Sequence, residues 1–158
     1  MSWSRARKGK TRSMERKKRV LILCTGNSAS SQMGEGLLRH MACEVFEVFS
    51  AGTKPAGLNP NAVKAMSEIG IDIAGHRSKS VDEFTGQQFD YVITVCDNAK
   101  ESCPFFPGGI VRLHHSFEDP AAAPEGQEIE TFRRVRDQMR GWLRQFQGQF
   151  KPLQAEPA

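Results

Sequence analysis

The first residue with the makings of a reactive group is Cys24. The apolar run Val20-Leu21-Ile22-Leu23 ends at this thiol, the turn Thr25-Gly26-Asn27-Ser28-Ala29-Ser30-Ser31 follows, and a periodic apolar segment comes next. A strand that turns into a helix through small polar residues aims several backbone N–H groups at one point, beside the positive end of the helix dipole. Residues 25–31 are therefore the candidate oxyanion-binding residues: Thr25, Gly26, Asn27, Ser28, Ala29, Ser30 and Ser31. A thiol held there is expected to lose its proton more easily and to serve as a nucleophile. Gly26 and Asn27 tolerate the positive φ that a tight cradle needs. Ser31 could cap the helix and give its hydroxyl to the sulfur. The plainer alternative is a buried cysteine that closes a strand.

Three more cysteines stand at positions 43, 96 and 103. There is no CxxC pair, and His114-His115 adjoin no cysteine at a zinc-binding spacing, so no metal is expected. Taken alone, Cys96 reads equally as a core thiol after an apolar strand, and Cys103 as a loop thiol. Cys43 is expected to be a packed thiol, and His114 and His115 to be hydrogen-bonded structural residues.

These groups need a frame. Val20–Leu23, Val45–Ser50, Tyr91–Cys96 and Ile110–Leu113 read as strands. Met33, Leu37, Leu38 and Met41 recur at helical spacing, and Gly34 and Gly36 in that helix would allow close packing on the sheet. Asn59-Pro60 opens a second helix, as N-cap and first helical residue, and Gly70 stops it. Ser80-Val81-Asp82-Glu83 has capping-box spacing and should start a brief helix. Ile129, Phe132, Val135, Met139, Trp142 and Phe146 form one stripe of a long final helix. Strand alternating with helix implies an α/β fold: a single-domain three-layer sandwich, a four-stranded parallel sheet with helices on both faces. Ligands of such sheets bind beyond the carboxyl ends of the strands, where Cys24 stands.

The net charge of +4 is unevenly spread. Residues 1–19 hold nine Lys or Arg and one Glu; the remainder holds 13 basic and 17 acidic residues. The sequence reads as a disordered basic tail over 1–18, a domain over 19–148 and a frayed tail over 149–158. The basic tail has no apolar stretch behind it and is not a secretory signal. No apolar run reaches the length of a membrane helix. A cytoplasmic monomer with neither membrane nor nucleic-acid partner is expected.

The motifs Cys24-Thr25-Gly26-Asn27-Ser28 and Ser31-Gln32-Met33 resemble the signature loop of the thioredoxin-coupled arsenate reductases, which share the fold of the low-molecular-weight protein tyrosine phosphatases. The similarity continues through Ser50-Ala51-Gly52-Thr53, Leu58-Asn59-Pro60-Asn61-Ala62, His76-Arg77-Ser78, Val95-Cys96-Asp97, Cys103-Pro104 and Phe117-Glu118-Asp119-Pro120. The resemblance implies a relay of three thiols. Cys24 would attack arsenate, Cys96 would attack Cys24 and release arsenite, and Cys103 would take over Cys96. Thioredoxin would then reduce the Cys96–Cys103 disulfide. A seven-residue step between these two could fold as a mobile loop, with Pro104, Pro107, Gly108 and Gly109 keeping the chain non-helical beyond it. Asp119 matches the family's acid, and Pro120 restricts it to extended geometry. No cofactor is implied beyond thioredoxin as electron donor. Asn27, Glu35 and Ser50 could supply oxygens to a monovalent cation, and the Lys79 ammonium is the alternative occupant of that place.

One position departs from the pattern. The resemblance puts an Arg six residues after the nucleophile, and Ser30 stands there. An Arg would grip two oxyanion oxygens through its planar fork; a Ser offers one neutral donor. Arg39 lies too far along the helix, and Arg77 is the candidate substitute. Two rival readings follow: a tyrosine phosphatase, which needs only Cys24, the loop and Asp119, and a catalytically weakened oxyanion- or partner-binding pseudoenzyme.

Overall fold

The structure, a computed structural model, describes residues 17–103 and 110–149. The expected basic tail therefore lies outside the described residues except for Lys17 and Lys18, and Lys18 already opens the first strand. Residues 150–158 and the Pro104, Pro107, Gly108 and Gly109 positions also lie outside them.

Strand β1 (Lys18–Cys24) is buried from Val20 onward on both faces, as a continuous apolar run requires. It pairs in parallel with β2 (Phe46–Gly52) on one side and β3 (Tyr91–Thr94) on the other, and β4 (Val111–His114) extends the sheet beyond β3. The order β2-β1-β3-β4 leaves β1 central. β3 stops two residues short of the expected Cys96 because its pairing ends at Leu23↔Thr94, where β1 turns into the Cys24 loop. β2 and β4 each lie slightly later in the chain than the hydropathy pattern suggests.

Alternation along β1 divides the core. Val20 and Ile22 face a large apolar cluster built with α1 (Ser30–Ala42) and α2 (Pro60–Ser67). Leu21 and Leu23 face a smaller one with the 3-10 turn Val81–Phe84, Phe89, Val92 and Ala99 of α3 (Asp97–Ser102). The final helix α4 (Glu128–Gly148) lays Phe132, Val135, Met139 and Phe146 onto the α1 side. Each fully buried aliphatic side chain of β1 contributes about 1.5–3 kcal/mol. The result is the three-layer sandwich.

Helix caps follow the sequence closely. Asn59 accepts from the Asn61 N–H at 2.8 Å, Ser80 accepts from the Asp82 N–H at 3.0 Å, and Gly70 leaves α2 at φ +84°. Two details depart from expectation. Ser31 does not cap α1; it lies inside the helix, and Ala29 holds the cap position with no side-chain bond. The close approach at Gly34 is to Ile22 of the sheet and Met139 of α4, whereas that at Gly36 is to Ile73 and Met66. Glycine thus serves helix and loop packing as much as the sheet.

Candidate active site

The loop after β1 wraps around the Cys24 sulfur. The Asn27 N–H reaches Sγ at 3.2 Å, and the Ser31 Oγ lies 2.9 Å from it. Asn27 takes the left-handed conformation, φ +47°, whereas Gly26 does not. The Asn27 side chain explains why the strain is tolerated: its amide donates to Ser31 Oγ and Ser50 Oγ at 2.8 and 2.9 Å. Its carbonyl accepts from the Lys79 N–H at 2.7 Å and from Gln32 Nε2 at 3.0 Å. Gln32 also donates to the Arg77 carbonyl, and its own carbonyl meets His76 Nδ1 at 2.9 Å. Asn27, Ser31 and Gln32 are all fully buried and bonded.

Cys24 itself is 6% exposed. Burial pushes its thiol above the ordinary range, while hydrogen bonds from the Ser31 hydroxyl and the Ser31 and Asn27 N–H groups pull it down, and nearby Cys96 adds a push upward. The easily ionised thiol expected from the loop pattern is therefore not found in the resting site. Desolvation of the thiolate outweighs the cradle, and Ser30 brings no charge to offset it.

The sulfur opens onto a cavity of ≈ 330 Å³ lined by residues of the loop together with Lys54, Cys96, Phe117 and Asp119. Thr25, Gly26, Ser28, Ala29 and Ser30 all contribute to its walls. Asn27 and Ser31 instead stand behind the sulfur as its supports. Cys96 is tied to the loop by the Thr25 hydroxyl, 3.3 Å from its Sγ. Asp119 reaches the cavity from an extended backbone, φ −80° and ψ 108°, with its carboxylate accepting from the Ala121 N–H.

Cys103 is placed differently. The span after Cys96 is not a loop: it is the six-residue helix α3, with Cys96 as N-cap and Cys103 as C-cap. Cys103 lines a second cavity with Lys100, Arg112 and His114, and Arg112 Nη1 donates to its sulfur at 3.0 Å. Cys24 and Cys96 thus share a cavity that Cys103 does not line. All four cysteines are free thiols. Cys43 is exposed at the end of α1, where the chain turns back toward β2, and is not the packed thiol expected. His114 bridges Thr94 Oγ1 and Asp97 Oδ1 at 2.7 and 2.9 Å, a structural role; the His115 ring lies tilted against Phe117, with centroids 4.4 Å apart, and its backbone N–H donates to the Thr94 carbonyl.

The residues present do not fit a monovalent cation. Ser50 Oγ donates to the buried Glu35 carboxylate at 2.6 Å, and Arg39 donates to its other oxygen. The Lys79 ammonium stands 3.6 Å from Glu35 Oε1 and donates to the Arg77 carbonyl. Asn27 Oδ1 already accepts two N–H donors, so the oxygens are supplied with positive partners from the chain itself. Arg77, the candidate substitute for a loop Arg, is committed elsewhere: it is exposed and forms a two-pronged pair with Glu83 at 2.8 and 2.9 Å. The described residues hold no cluster of His, Cys, Asp or Glu suited to a metal ion. None of their helices is long and apolar enough to cross a membrane.

Residues 19–157 match the low molecular weight phosphotyrosine protein phosphatase family. The chain belongs to that family, among its arsenate reductases. It is 44% identical over 133 residues to the arsenate reductase of Shouchella clausii, covering 82% of this chain and 95% of that one. It is 47% identical over 126 residues to that of Halalkalibacterium halodurans, covering 78% and 90%. Among solved structures, an arsenate reductase in its oxidized state superposes with a TM-score of 0.73 at 30% identity, over 84% of this chain and 98% of the other. The tyrosine phosphatase Wzb of Escherichia coli K30, at 21% identity and TM-score 0.70 over 85% and 99%, shares the fold.

Sequence reasoning named Gly52 only within the Ser50-Ala51-Gly52-Thr53 motif, without its role against the loop, and passed over Lys54. The strand register holds the signal for both: Cys24 lies opposite Gly52, so whatever follows β2 must lie against whatever follows β1. A Cβ on Gly52 would meet the Thr25 carbonyl at 2.5 Å and the Asn27 nitrogen at 2.8 Å. Only glycine lets the loop sit where it does.

Proposed function

We propose that this chain reduces arsenate to arsenite by a relay of Cys24, Cys96 and Cys103, regenerated by a thioredoxin-type dithiol in the cytoplasm, and that it works as a monomer. The observation that carries the reading is that Cys24 and Cys96 open onto one cavity, together with the Asp119 carboxyl. Four free thiols suit a compartment that keeps cysteines reduced.

In the first step the Cys24 thiolate attacks arsenic, a sulfur–arsenic bond forms, and one arsenic-bound oxygen leaves as water with a proton from Asp119. In the second the Cys96 thiolate attacks Cys24 Sγ. A disulfide forms, the sulfur–arsenic bond breaks, and its electron pair stays on arsenic, which departs as arsenite. In the third the Cys103 thiolate attacks Cys96, and Cys24 leaves as thiolate. The external dithiol then reduces the Cys96–Cys103 disulfide and restores the three thiols.

This third step requires α3 to open. Seven residues of helical rise separate the two α-carbons by roughly 10 Å, beyond the about 7 Å that a disulfide spans. The test is an assay with arsenate, thioredoxin, thioredoxin reductase and NADPH, run on this chain and on Cys103→Ser. The expected outcome is continuous NADPH oxidation for the first and release of about one arsenite per chain for the second, stalled as the Cys24–Cys96 disulfide. Absence of arsenite from both would overturn the reading. Hydrolysis of para-nitrophenyl phosphate that survives loss of both Cys96 and Cys103 would favour a phosphatase instead.

A further inference from the structure

The cradle around Cys24 contains no cation of its own. Ser30, at the position where an Arg would stand, is a buried neutral hydroxyl on the first residue of α1. The cations nearby in the sequence are engaged away from the cavity: Arg39 with Glu35 and the Val48 carbonyl, Arg77 with Glu83, Lys79 with Glu35 and the Arg77 carbonyl. Among the described residues lining the cavity, Lys54 is the one cation and Asp119 the one anion.

Lys54 is held there by backbone. The segment after β2 is laced along the loop, Thr53 N–H to the Cys24 carbonyl, Lys54 N–H to that of Thr25, Ala56 N–H to that of Gly26 and Asn59 N–H to that of Ser28, at 3.2, 2.8, 2.9 and 2.9 Å. Residue 54 is thereby fixed against the turn, and Pro55 behind it restricts its backbone to extended conformations. The side chain is exposed at the cavity rim, with its ammonium in no ion pair with a described residue.

We propose that Lys54 is the oxyanion-binding cation of this site, supplying from the adjoining segment the positive charge that the loop lacks at Ser30. The inference rests on the function proposed above only for the identity of the oxyanion. A lysine is a point charge on a flexible stem and imposes no fixed two-oxygen grip. It therefore attracts arsenate and phosphate alike, and its contribution is screened by salt because the group is exposed. Such binding is shared by ground state and transition state, so its loss appears in KM more than in kcat.

The experiment measures phosphate binding by calorimetry and arsenate kinetics for the full chain, Lys54→Met, Lys54→Arg and the double variant Lys54→Met with Ser30→Arg. Lys54→Met is expected to weaken phosphate binding and raise KM for arsenate by about tenfold at low salt, with kcat within about twofold and a smaller difference at high salt. Lys54→Arg should bind like the parent, and the double variant should recover affinity. Equal phosphate affinity in the parent and Lys54→Met, with both folded by circular dichroism, would overturn this inference and leave the proposed function standing. Lost phosphate affinity in Lys54→Met alongside a parent that binds phosphate but never releases arsenite would support the inference and sink the reduction. A parent that binds neither arsenate nor phosphate would sink both.

Discussion

The Cys24 loop and helix α3 each carry thiols of the proposed relay, yet they are built in opposite ways. Around the loop, Asn27 and the first-turn α1 residues Ser31 and Gln32 have no exposed surface, and each makes bonds that fix its neighbours. In α3, Ala99 is the one buried residue among those whose side chains are described, and the helix is only six residues long. Isolated helices of that length are not stable in water. One region is held by a closed network of buried hydrogen bonds; the other is held to the sheet chiefly through Ala99. A relay needs this division: the nucleophile must meet an anion in a fixed frame, while the later thiols must travel.

The largest expected effect tests how tightly the loop holds its sulfur. Burial raises the Cys24 thiol above its ordinary value of 9.0, so the thiolate fraction falls by about tenfold for each pH unit below the shifted value. The alkylation rate of Cys24 by iodoacetamide, read by mass spectrometry of its peptide, should climb about a hundredfold from pH 7 to 9 without levelling. A plateau below pH 8 would mean that the loop amides overcome desolvation.

A smaller effect probes the packing. Gly52→Ala would press a methyl group onto the backbone of Thr25 and Asn27, which have no rotamer to yield with. Overpacking of this kind costs about 1–3 kcal/mol. Thermal unfolding should show a Tm lower by several degrees, and oxyanion binding should weaken with it. Gly141→Ala on α4, with nothing within contact distance, is the matched control and should stabilise by up to about 1 kcal/mol. If the two variants melt alike, the loop is not fixed by Gly52.

The same division marks what the sequence could disclose. Val20–Leu23 announced a central strand through an unbroken apolar run, and Asn59, Ser80 and Gly70 announced helix ends through local bonds that need no tertiary partner. Cys24 was legible because the strand, turn and helix that frame it are contiguous. The α3 helix was not: Asp97–Ser102 is polar and too short to show a period, and it exists because Ala99 packs under Leu21 and Leu23. The acidity of Cys24 was misjudged for a related reason. The turn residues reveal donors around a sulfur, but the depth of its burial also depends on the packing of the sheet and on distant Phe117. Lys54 was hidden because its significance comes from strand register.

The smallest predicted effect addresses α3. Glu101 is exposed on α3, so replacing it by glycine weakens the helix by under about 1 kcal/mol and leaves the sheet alone. A shift of that size raises the opened population of α3 by about two- to fivefold. If the Cys96–Cys103 disulfide can form only from the opened segment, its formation rate under diamide should rise by the same factor, with Tm almost unmoved. A rate unchanged from the parent would show that opening of α3 does not limit the third step. The roughly 10 Å separation of its ends would then have to close by some motion other than the loss of this helix.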